Sequence, residues 1–130
     1  SSNEIKIIQT LAENGEIIIE NKSYPIEFGN LYFINCSKKY SVIPAQKDDY
    51  LQNTVMVSRE FLDKLAELLD FTKETEDIFK NGYFLPVKHH KIIDDHFKKM
   101  SSVYNSEKTF SKALFTAKFL ELLNYAVSSL

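Results

Sequence analysis

Short apolar runs separated by polar breaks dominate the first half of the chain, and a wider apolar spacing takes over after residue 58. From Gly15 to Val42 the runs are three to five residues long, rich in Ile, Phe and Tyr, and interrupted at Asn21-Lys22, Pro25, Gly29 and Ser37 to Lys39. This pattern predicts short antiparallel strands. Glu4 to Leu11 has the β-branched content of a strand, and Asn14-Gly15 after it predicts a hairpin, because both central residues of a type I′ turn need positive φ. Further strands are predicted over Ser23 to Phe28, around Leu31 to Ile34, and from Lys39 to Ile43, where Pro44 cannot donate to a ladder. Ala45 to Asp49 reads as a polar loop. Tyr50 to Ser58 alternates, with Leu51, Asn53, Val55 and Val57 on one face and Tyr50, Gln52, Thr54 and Met56 on the other.

At Ser58 the period changes from 2 to 3.6. Ser58 suits an N-cap, Val57 and Leu62 fall where a hydrophobic staple would, and Phe61, Leu62, Leu65, Leu68 and Leu69 form a stripe. Thr72 to Asp77 reads as a polar connection. Ile78 to Val87 carries an Asn81-Gly82 turn and an extended YFLPV that predicts an edge strand. A second helix is predicted over His89 to Ser102 and a closing one over about Ser106 to Leu130. One face of the closing helix (Phe110, Ala113, Ala117, Leu120, Leu123, Val127) suffices to dock on the strands. A second set, Phe115, Phe119, Leu122, Tyr125 and Ala126, widens the apolar arc beyond what one core needs. Phe115, Lys118, Leu122 and Tyr125 follow the three-four-three spacing of a two-helix seam, covered either by the earlier helices of the same chain or by a partner chain.

Composition narrows the classes. A chain of 130 residues suits one domain with a real core, and its single cysteine, Cys36, allows no disulfide framework. Cys36 reads as a small buried hydrophobe. Sixteen basic and 18 acidic side chains are interspersed, so no electrostatic footprint for a phosphate backbone is present. No apolar run approaches the length of a membrane span, and the start lacks signal-peptide architecture. The opening Ser-Ser-Asn, without a methionine, suggests an excised piece of a longer polypeptide.

The run GEIIIENKSYPIEFGNLYFIN, then YLQNTVMVSREFLDKL, FKNGYFLPV, HKIIDDHFKKM and KALFTAKFLELLNYAV, in this order, resembles the N-terminal half of AraC-type transcription regulators. The resemblance covers nearly the whole chain. It implies a mainly β fold with α: a small cupin-like barrel (double-stranded β-helix) over 1–57, then two to three helices and one possible extra strand over 58–130, in one sensory and dimerisation domain. It implies a cytoplasmic bacterial protein that pairs as a homodimer through its last helix (Phe115, Lys118, Leu122, Tyr125), takes a small-molecule effector, touches no membrane, and reaches DNA only through a C-terminal domain absent from this chain.

Cupin barrels often hold a metal through three histidines and a glutamate. Aligned to them, Tyr40 stands at the second-motif histidine and Lys6 near the glutamate, while the first histidine pair falls at or before Ser1. An ammonium has no lone pair for a metal, so no barrel metal and no cofactor are expected. His90 and Asp94 share a helix face, but His89 and His90 open a helix at its solvated end and His96 completes an apolar stripe. No nucleophile-base pair, phosphate-cradling loop or carboxylate dyad stands out, so no catalysis is expected. If Tyr40 points inward, Val42 does too, and the facing strand contributes Leu51 and Asn53. These four residues either line an effector pocket or complete a filled barrel. The alternatives are a degenerate cupin enzyme acting on a sugar or small acid, and a pure dimerisation module.

Overall fold

The computed structural model describes residues 3–106 and 108–130. Ser1 and Ser2 and position 107, which the closing-helix expectation includes, lie outside the described residues, as does the first histidine pair of the cupin alignment. Among the described residues the chain forms β1 (Glu4–Thr10), β2 (Gly15–Ile19), β3 (Lys22–Pro25), β4 (Leu31–Asn35), β5 (Tyr40–Pro44) and β6 (Gln52–Ser58). Then follow α1 (Arg59–Leu69), α2 (Thr72–Phe79), β7 (Tyr83–Leu85), α3 (His90–Tyr104) and α4 (Ser111–Val127). The fold is mixed α/β: two antiparallel sheets and four helices. The first sheet has the order β6-β1-β4-β7 and the second β3-β2-β5.

The chain passes back and forth between these sheets, and this corrects the first hairpin. Asn14 does have positive φ, but β1 and β2 do not pair. β1 joins β4 and β6, while β2 joins β3 and β5. Asn14-Gly15 is therefore a crossover between layers. The type I′ geometry falls instead at Glu20 and Asn21, one residue ahead of the polar break at Asn21-Lys22, both with positive φ between the paired Ile19 and Lys22. The closed barrel expected over 1–57 is not described by the hydrogen bonding. Among the described residues β5 pairs only with β2 and β6 only with β1, so one side of the sandwich keeps two strand edges.

The first sheet is covered on both faces, which explains why β1 and β4 read as nearly continuous apolar runs. Ile5, Ile7, Phe33, Val55 and Val57 face the helices and pack on Leu62, Ile93, Phe119 and Leu122. Ile8, Tyr32 and Ile34 face the second sheet and pack on Ile17, Ile19 and Ile26.

Ser58 caps α1 by accepting from the Phe61 N–H at 3.0 Å, as its position before the apolar stripe predicts. Asp70 ends that helix in the left-handed region. The polar connection expected at Thr72 to Asp77 is instead helix α2. Thr75, Ile78 and Phe79 bury one narrow stripe, and the Thr75 hydroxyl bonds the Thr72 carbonyl at 2.8 Å. Three buried positions in eight residues are too sparse to register as periodicity in the sequence. β7 is the expected edge strand, paired among the described residues with β4 alone. Gly29, at φ +87°, lets the β3–β4 link pass the start of α3, since a Cβ there would lie 2.3 Å from the His90 Cβ.

Candidate functional site

Strand alternation places Lys6 on the face of β1 that also carries Ile8, toward the second sheet, level with Ile34 and Met56 on its neighbours. Tyr40 enters the same layer from β5, level with Ile19. The two meet: Lys6 Nζ donates to Tyr40 Oη at 2.7 Å and lies 5.2 Å from the ring centroid. No carboxylate of the described residues pairs with this ammonium. Cys36 is buried beside the pair. Burial pushes its thiol up, and the Lys6 charge pulls it part of the way back. An ammonium held by a phenol in a half-buried layer, with two N–H bonds left to give, suits an acceptor such as a carboxylate or carbonyl.

Val42 packs in this layer with Tyr40. Tyr50 adds a phenol that burial pushes up to about 12, donating to Gln52 Oε1 at 2.5 Å. The Tyr32 hydroxyl donates to the Pro25 carbonyl.

Leu51 and Asn53 do not belong to this layer, which corrects the expected four-residue pocket. Val55 and Val57 are drawn beneath the helices, and period two carries Asn53 to the same side of β6. Leu51, just before the strand, is 65 % exposed. Asn53 Nδ2 instead donates to Gln9 Oε1 at 2.9 Å and to Asp94 Oδ1 at 2.7 Å. Gln9, wholly buried, passes the link on by donating to the His90 carbonyl at 2.9 Å. Asp94 also accepts from Lys98 at 2.8 Å; that bond first, and then the one from Asn53, hold its carboxyl below the usual carboxylate range. Asn53 thus meets side chains that tie the sheet to α3, and a ligand is not needed to satisfy it. Sequence reasoning missed Gln9 and Asp94 as partners. The available signal was a glutamine in step with Ile5 and Ile7 on an otherwise apolar face.

The helix seam is also rearranged. Leu122 is wholly buried in the chain's own core, and Phe115 stacks on Phe119 with ring centroids 6.2 Å apart. Lys118 pairs with Glu121 at 3.3 Å, and Tyr125 meets His96 edge-on. Leu122 is thus covered by the chain's own core, and Phe115 and Tyr125 meet Tyr104 and His96 of α3. The face expected to dock divides: its C-terminal part does so, with Leu123 buried in the core and Val127 packed against it, while its N-terminal part, carrying Phe110, Ala113 and Ala117, is exposed and joined by Leu114. Phe110 itself is 62 % exposed.

Of the histidines, His90 packs edge-on to Phe28, and His96 Nδ1 lies 3.3 Å from Glu121 Oε2 between α3 and α4. Among the described residues no three His, Cys, Asp or Glu side chains gather as a metal site. No described helix is long and apolar enough to cross a membrane. A scan of the sequence against protein-family models and a search of curated proteins both return no match.

Proposed function

We propose that this chain is the effector-sensing and dimerisation part of an AraC-type transcription regulator, with a cupin-derived sandwich that binds a small molecule without metal. The observation that carries this reading is the meeting of Lys6 and Tyr40. A cupin alignment puts these two residues, 34 positions apart, at metal-ligand places, and their side chains lie 2.7 Å apart between the sheets. The passage of six successive strands back and forth between two sheets supports the same reading.

In this reading Lys6 and Tyr40, with Val42 beside them, hold an anionic or carbonyl-bearing effector at the open side of the sandwich. Its charge meets an ammonium that would repel a metal ion. The Gln9–Asn53–Asp94 link passes a change in the sheet to α3, and α3 packs on α4. A second copy docks on the outward face of α4 at Phe110, Ala113, Leu114 and Ala117, and DNA is held by a separate part of the regulator. A ligand shifts such an equilibrium only as far as its affinities for the two arrangements differ. The close packing of Ile8, Ile17, Ile19 and Tyr32 favours a second reading, a dimerisation module with a filled layer.

The test is a thermal-shift screen of small carboxylates and sugars on the chain and on Lys6→Met, with sedimentation equilibrium of Leu114→Glu. Stabilisation by a carboxylate that Lys6→Met abolishes, and a dimer that Leu114→Glu dissociates, are expected. A dimer with no stabilising ligand leaves the filled-module reading; a monomeric parent chain overturns both.

A further inference from the structure

The free edge of β6 borders a slot that the sensing site does not use. Arg59 N–H bonds the Asn3 carbonyl and Leu11 N–H bonds the Leu51 carbonyl, so odd-numbered residues of β6 face β1 in the ladder. By antiparallel alternation Gln52, Thr54 and Met56 turn their backbone N–H and C=O groups outward. Against that edge lie two adjoining cavities, of about 390 Å³ and about 260 Å³. Both are lined by Met56, Tyr104 and Phe115. The first ends at Ser58 and Lys112, the second at Thr54 and Met100. Met56 is 49 % and Tyr104 76 % exposed. From Thr54 to Ser58 the slot runs for about 13 Å, at roughly 3.3 Å per residue.

We propose that this slot binds an extended peptide segment of a partner protein, which adds to β6 as a strand, sets alternate apolar side chains against Tyr104 and Phe115, and brings an acidic residue to Lys112. Three features select this occupant. Outward backbone groups ask for a backbone in return, which a hydrocarbon ligand does not offer. The aromatic wall on one side rewards apolar residues at every second position. Lys112 pairs with no acid among the described residues. A second copy of β6, QNTVMVS, carries no acid to offer it, so charge favours a different chain over self-pairing.

The probe is a fluorescein-labelled nonapeptide of alternating valine and threonine with a glutamate at each end, followed by anisotropy. Saturable binding below about 1 mM is expected. Exchanging the end glutamates for lysines, or Lys112→Glu in the exposed first turn of α4, should each weaken it by about tenfold. Methylation of alternate backbone nitrogens of the peptide should abolish binding. The proposal is overturned by no binding up to about 1 mM, by equal binding of the methylated peptide, or by indifference to Lys112→Glu. It is also overturned by self-association of the chain that Thr54→Pro removes, which assigns the edge to a second copy.

Discussion

Two leucines on α4 separate the face that holds the fold from the face that is free. Leu122 is wholly buried between the first sheet and α3, while Leu114 is 49 % exposed one face away. Truncating either to alanine removes three carbons and leaves helix propensity nearly unchanged. At Leu122 those carbons are worth about 0.8 kcal/mol each in transfer, about 2.4 kcal/mol together, before the cavity left in that core adds its own cost. About 3 kcal/mol is expected, on the order of 10 °C in Tm for a domain of this size. At Leu114 half of the side chain is already in water, and the loss in the isolated chain should stay under about 1 kcal/mol. Urea unfolding followed by circular dichroism at 222 nm, at a protein concentration low enough to suppress association, reads both values. Equal losses at the two sites, or a larger one at Leu114, would refute the assignment of the α4 faces and with it the outward docking surface.

Gly29→Ala should cost more than about 2 kcal/mol, because the residue sits at φ +87° and its new Cβ would strike His90. Hydrogen exchange should show the loss concentrated at the start of α3, and a uniform loss would count against the contact. Asp94 supplies a pH dependence. Its carboxyl is held low when folded, so its contribution is full above the ordinary value of 3.8 and drains away as pH falls through the lower folded value. Between neutral pH and pH about 3, the parent chain should therefore lose stability more steeply than Asp94→Asn; parallel curves would show that the Lys98 and Asn53 bonds do not favour the charged form.

Much of the fold was legible along the chain. The six strands before Ser58, the cap at Ser58, β7 as an edge and the start of α3 all follow from local rules, because turn residues and periodicity act over a few positions. α2 escaped because its buried stripe is only three residues wide. Of the candidate site, Tyr40 and Val42 were placed in one layer by period two alone, and Lys6 entered only as a departure from a metal-binding pattern.

What the sequence by itself determined was which residues alternate together. What only the tertiary structure decided was which way each set points. β6 has one set with Val55 and Val57 and another with Thr54 and Met56, and α4 has two apolar sets, so neither pattern names its own inside. The choice falls to the first sheet, which buries both faces, one under helices and one under the second sheet. Once Val55 and Val57 go beneath the helices, Asn53 must follow them, and once Phe119 and Leu122 fill the same core, Phe110 and Ala117 must face out. Those outcomes depend on contacts between residues far apart in the chain, where the free energy of burial is a property of the partners and not of the pattern.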